Sequence, residues 1–125
     1  GIVVESGTLS GGNKYEGNPL HVALANKGVI NGDIEIKQGA TLNGGVINWD
    51  EQLNGQNGKI SGAIKVEGMI DGVIGTYGGT IGSIEIQENA NVSGGIHVTT
   101  SNRRGAGTIN GDIIVKGTLN GGIHN

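Results

Sequence analysis

The chain of 125 residues contains no cysteine and no phenylalanine, and only one proline, one tryptophan, one methionine and two tyrosines. Without cysteine there is no disulfide framework, no thiolate nucleophile and no thiolate metal site. The compartment stays open on this count, because cytosolic proteins and cysteine-poor bacterial surface proteins share the trait. A single proline and the lack of a Gly-X-Y period exclude collagen. Basic excess is missing as well: the formal net charge is -3. With no basic stripe to neutralise phosphates, nucleic acid is excluded as a partner. No apolar run approaches the roughly 18 residues that a membrane-spanning helix requires. No window shows a 3.6-residue period, which argues against helices altogether.

Glycine, isoleucine and valine fill the space left, with 27, 17 and 10 copies. Average glycine usage is about 7%, so this chain holds roughly three times the norm. The apolar share of 34% is too high for a disordered linker. The length suits one domain. Its opening, Gly1-Ile2-Val3-Val4, lacks an initiator methionine and reads as a mature segment or a fragment of a longer repeat protein.

Self-similarity decides the architecture. A pattern of aliphatic-x-Gly-x-aliphatic recurs at Ile30–Ile34, Leu42–Val46, Ile60–Ile64, Ile70–Ile74, Val92–Ile96, Ile109–Ile113 and Leu119–Ile123. Leu9-Ser10-Gly11-Gly12-Asn13 is a copy with a polar end, and Ile81-Gly82-Ser83-Ile84 is one residue short. The copies alternate between two types. One continues as a strand (Ile34-Glu35-Ile36, Ile64-Lys65-Val66, Ile84-Glu85-Ile86, Ile113-Ile114-Val115), and the other usually carries a double glycine. From the first type to the second the spacing is 12, 10, 11 and 10 residues; from the second back to the first it is 21, 18, 11 and 17. One side of the repeat is fixed and the other takes insertions.

These features predict an all-β fold, a parallel β-solenoid (right-handed β-helix) of about four to five coils spanning residues 1–125. Period-two alternation places Ile30, Gly32, Ile34 and Ile36 on one face, with Asn31, Asp33 and Glu35 on the other. Asn-Gly and Asp-Gly steps turn corners at little steric cost. A β-meander is the competitor, since Asn-Gly between alternating apolar residues also signals a hairpin. It would not require two alternating corner types at one constant spacing. The middle strand residues Glu35, Lys65 and Glu85 alternate in charge, as stacked neighbours favour.

Chemistry-bearing residues are sparse. His97 and His124 share one repeat position, as a metal-binding or pH-sensitive pair would; no third ligand shares it, so they read as solvated ladder residues. His21 joins no visible cluster. Asp33 and Asp112 repeat another position, with Asp71 nearby, but one acid per coil matches outward solubilising residues better than a catalytic group. There is no nucleophile elbow, P-loop or Ser-His-Asp order. Asn91-Val92-Ser93 forms a glycosylation sequon within a core strand. No catalytic residue, cofactor or metal site is expected, and the chain reads as a non-enzyme.

The expected insertions run near 13–28, 48–58, 75–79 and 98–107. They hold every aromatic residue (Tyr15, Trp49 and Tyr77), the one proline (Pro19) and both arginines (Arg103 and Arg104). Insertions in repeat proteins gather on one face, often the binding face, and Tyr, Trp and Arg are enriched at binding hot spots. Those five residues, Pro19 aside, form the candidate contact face. Loops also simply accept side chains that a narrow core rejects. Leu20-His21-Val22-Ala23-Leu24 alternates as an extra strand would.

Gly107-Thr108-Ile109-Asn110-Gly111-Asp112-Ile113 and Gly117-Thr118-Leu119-Asn120-Gly121-Gly122-Ile123-His124-Asn125 resemble the repeats of bacterial autotransporter passenger domains. The resemblance covers residues 28–125 well and 1–27 poorly; the insertions depart from that family's tighter period. It implies an extracellular, surface-displayed β-helix engaged in adhesion and biofilm formation, with cell-surface glycans, proteins or other copies of itself as partners. It implies no shared catalytic residues. The rhythm is also similar, less closely, to that of bactofilins, which implies a self-assembling, cytoplasmic filament subunit stacked end to end as the alternative. A polysaccharide-active enzyme is the least favoured reading.

Overall fold

Strands of two to eight residues with one aliphatic face cannot bury that face within a single coil, so burial requires stacking of coil upon coil. The computed structural model shows this stacking and describes residues 1–11, 21–51, 56–101 and 105–125. Among the described residues there is no helix, and the coils stack through three parallel sheets. The fold is a parallel β-solenoid of five coils.

Each coil contributes to the sheets in the same order. The first sheet contains Ile2–Val4, Ile34–Ile36, Lys59–Val66, Thr80–Ile86 and Ile113–Val115, with the short strands Val29–Ile30 and Thr108–Ile109 paired alongside. The second stacks Gly7–Ser10, Ala40–Asn43, Met69–Asp71, Asn91–Val92 and Thr118–Leu119. The third stacks Val22–Asn26, Gly45–Glu51, Ile74–Tyr77, Ile96–Ser101 and Ile123–His124. Like residues lie on like. Ile34, Ile64, Ile84 and Ile113 form one inward column, Leu42, Ile70, Val92 and Leu119 a second, and Val46, Ile74, Ile96 and Ile123 a third.

The core runs through the middle coils. Ile34, Ile64, Ile84, Leu42, Ile70, Val46 and Ile74 are essentially fully buried. Each such side chain contributes about 1.5–3 kcal/mol relative to exposure. Inward residues of the first and last coils have a neighbour on one side only, and Leu9 and Ile123 are exposed.

The two motif types are two different corners. The first lies within the first sheet, between Ile30 and Ile34 and their equivalents; the second joins the second sheet to the third. At the latter, Gly44, Gly95 and Gly121 have φ of 135°, 85° and 85°, in the region that side chains disfavour. The copy that is one residue short, at Ile81–Ile84, is absorbed by a register irregularity between Ile81 and Ser83.

The structure revises several expectations. Glu35, Lys65 and Glu85 do stand in register, yet Lys65 pairs with Asp33 Oδ2 at 3.3 Å and Glu35 with Lys37 at 3.2 Å. Gly32 faces solvent at a corner with φ of 104° instead of continuing the inward column. Val22–Asn26 is the first coil's regular third-sheet strand, not an extra one, and it occupies the end of the span 13–28 assigned to the first insertion. Gly45–Glu51, Ile74–Tyr77 and Ile96–Ser101 carry the chain through positions assigned to loops. Residues 75–79 hold a strand end and a tight Gly78-Gly79 step, with no inserted loop.

Candidate contact face on the third sheet

In the first coil the long connection, residues 11–21, lies between the second- and third-sheet strands; in the later coils the variable corner is where the chain leaves the third sheet and returns to the first. Two of its excursions begin as antiparallel hairpins: Asp50 and Glu51 pair with Asn57 and Gln56, and Thr100 and Ser101 pair with Ala106 and Gly105. Gly58 N donates to Trp49 O at 2.8 Å, and Gly107 N to Thr99 O at 2.9 Å, closing each hairpin at its base. The chain then rejoins the stack through Lys59 N to Gly28 O after the first hairpin and Thr108 N to Gly79 O after the second.

A line of inward polar side chains holds this corner. Asn26, Asn48 and Thr76 occupy one register column, and all three are buried. Asn26 Nδ2 donates to Asn48 Oδ1 at 2.9 Å, and Asn48 Nδ2 lies 3.1 Å from Thr76 Oγ1. The same amides tie the departing and returning chain together. Asn48 Nδ2 donates to Gly58 O at 2.9 Å and lies 3.3 Å from Thr80 O; Asn26 Nδ2 donates to Gly28 O at 3.0 Å. Buried amides need such partners, because an unpaired one costs about 1–3 kcal/mol. Glycine at 58 is required by this packing: a Cβ there would come within 2.7 Å of Asn48 Oδ1.

Trp49 and Tyr77 stand on the opposite, outward side of the same strands. They are in direct register, with ring centroids 5.5 Å apart and planes inclined at 38°. Thr99 follows Tyr77 in the next coil, and Lys27 Nζ sits 6.0 Å from the Trp49 ring centre, within cation–π reach. Tyr77 leans back over Gly75: a Cβ on that glycine would lie 3.2 Å from Tyr77 Cε2 and 3.4 Å from Ile47 Cδ1. Ile47, although outward-facing, is consequently 1% exposed. Burial pushes the Tyr77 hydroxyl above its ordinary pKa. Trp49 Nε1 and Thr99 Oγ1 are buried without a hydrogen-bond partner. Of the five candidate contacts, Trp49 and Tyr77 are brought together as a sheet-borne pair. Tyr15, Arg103 and Arg104 lie outside the described residues.

Further along the sheet, His97 and His124 are also in direct register, with ring centroids 4.8 Å apart. Among the described residues no group of three or more His, Cys, Asp or Glu side chains gathers. The aspartates serve the ladder: Ala63 N donates to Asp33 Oδ1 at 2.8 Å, and Ser93 Oγ to Asp71 Oδ1 at 2.8 Å. The Ala63 N–H, helped by Lys65, holds the Asp33 carboxyl below its ordinary pKa.

The asparagine–threonine column escaped sequence reasoning because it inverts the usual polarity of a strand. Along Val46-Ile47-Asn48-Trp49 the polar Asn48 faces in and the apolar Ile47 and Trp49 face out. A usable signal exists, namely that Asn26, Asn48 and Thr76 each lie two residues after an inward aliphatic, Leu24, Val46 and Ile74. No family model matches the chain, and no curated protein or solved structure matches it either.

Proposed function

We propose that this chain is a non-enzymatic structural and adhesive β-solenoid segment of a bacterial surface protein, mediating cell–cell or cell–surface contact. The observation that carries the reading is the pairing of a sealed aliphatic core with an outward Trp49–Tyr77 cluster at the base of the hairpin corner. A stiff stack fixes the spacing of that cluster and of the hairpins, so contact loses little conformational freedom. Large amphipathic rings held in this way are what hot spots use. The autotransporter-like phrases over residues 28–125 support surface display and adhesion.

The test compares beads coated with the native chain against beads coated with Trp49→Ala or Tyr77→Ala protein, scored for capture of bacterial cells and of cell-surface glycans. Each variant should bind at least about tenfold more weakly while keeping the native far-ultraviolet circular dichroism. Undiminished capture by both folded variants would remove this face from the function.

A further inference from the structure

We propose that His97 and His124 form a two-imidazole site for a borderline divalent metal ion of the Ni²⁺–Cu²⁺–Zn²⁺ series, with water completing the coordination. This inference is independent of the adhesive reading. The parallel ladder places the two side chains on the outer face of adjacent strands, His97 half-buried and His124 exposed. Neighbouring strands lie about 4.8 Å apart, so an in-register histidine pair arrives at chelate spacing without any further arrangement.

The geometry agrees with shared coordination. An ion about 2.0–2.1 Å from each imidazole nitrogen lies roughly 3.2 Å from each ring centre, and a ligand angle of about 90–110° then separates the ring centres by about 4.5–5.2 Å. The observed separation is 4.8 Å. His124 is also oriented as metal-bound histidines are. Its Nε2 lies 2.6 Å from Gly121 O, and since a carbonyl only accepts, Nε2 carries the proton. Donation of the second ring N–H to a backbone carbonyl fixes the tautomer and raises ligand basicity; the Nδ1 lone pair is left for the ion. Imidazole suits these borderline ions and not calcium or magnesium. The lack of a third side-chain ligand argues against a closed structural centre. It leaves an open site whose ion joins the fourth coil to the fifth.

Calorimetric titration of the full chain with Ni²⁺ alone tests the site, with His97→Ala, His124→Ala and His21→Ala titrated alongside. One ion should bind per chain. The dissociation constant should rise about tenfold or more in each of the first two variants, because the second ligand acts intramolecularly, and should stay unchanged in the third. Circular dichroism without metal verifies that each variant is folded. With Zn²⁺, the nitrogen-15 spectrum should shift His124 Nδ1 while its Nε2 proton persists. Binding by His97→Ala or His124→Ala as tight as that of the native chain, or loss of the Nε2 proton on zinc binding, would overturn the proposal.

Discussion

Two corners of the same solenoid solve the same problem in opposite ways. Between the second and third sheets, backbone alone makes the turn: Gly44, Gly95 and Gly121 take positive φ, and the turns stack so closely that a Cβ on Gly72 would meet Gly45 N at 2.5 Å. Between the third sheet and the first, side chains make the turn, with Asn26, Asn48 and Thr76 bonded to one another and to the chain on both sides of the exit. In the second to fifth coils the first device has no slack, because each turn is the template for the next; in the first coil 11 residues separate Ser10 from Val22. The second clamps only the base, so the length beyond the clamp is free. With the tight turn common to all three coils, the second and fourth coils take 18 residues from Leu42 to Ile60 and 17 from Val92 to Ile109, where the third takes 11 from Ile70 to Ile81.

The sharpest way to break this comparison is to insert residues at each corner. Four residues, Gly-Ser-Gly-Ser, placed between Gly44 and Gly45 should cost about 4 kcal/mol or more, because the stacked register on either side is lost. The same four placed directly after Glu51, beyond the last paired residue of the outgoing strand, should cost under about 1 kcal/mol, the closure entropy of a longer connection. Urea unfolding of the two proteins reads the difference, and equal midpoints would show that the corners are equivalent. Asn48→Ala comes next. It removes the donor shared by Gly58 O, Thr76 Oγ1 and Thr80 O, and orphaned buried groups of this kind cost about 1–3 kcal/mol each in part or whole. A loss of about 3 kcal/mol is expected, with hydrogen-exchange protection falling first at Gly58 and Thr80.

The smallest effect belongs to Asp33. Its folded pKa lies below its unfolded one, so its stabilisation is present above the unfolded value, near pH 4, and is lost as pH falls through the folded value. Its side chain is 36% exposed, and screening keeps the contribution under about 1 kcal/mol. Asp33→Asn should therefore leave a flatter stability profile below pH 4 than the native chain shows. An unchanged acid slope would mean that other carboxylates carry it.

Much of the fold was legible because aliphatic spacing and burial coincide. Ile34, Ile64 and Ile84 recur at one motif position and are fully buried, and even the missing residue at Ile81–Ile84 marks a register irregularity. The candidate contact face was legible in composition but not in placement. Trp49 and Tyr77 read as loop residues because they end the aliphatic rhythm, whereas they extend the strands outward. The rhythm ends there because the inward positions beside them, Asn48 and Thr76, have exchanged apolar packing for clamp duty. Polarity alone does not reveal that exchange. The ion pairs were illegible for a different reason: Lys65 reaches diagonally to Asp33, and register specifies only which residues are directly opposite.

The asparagine clamp has a consequence for how such a molecule changes over generations. Where a loop's ends are held independently of its contents, new loop sequences can be tried one coil at a time without renegotiating the stability of the whole. The hairpin corner thus behaves as a rack of interchangeable fittings. Changes in sequence and length should accumulate between residues 51 and 57 and between 101 and 105, while Asn26, Asn48 and Gly58 stay as they are.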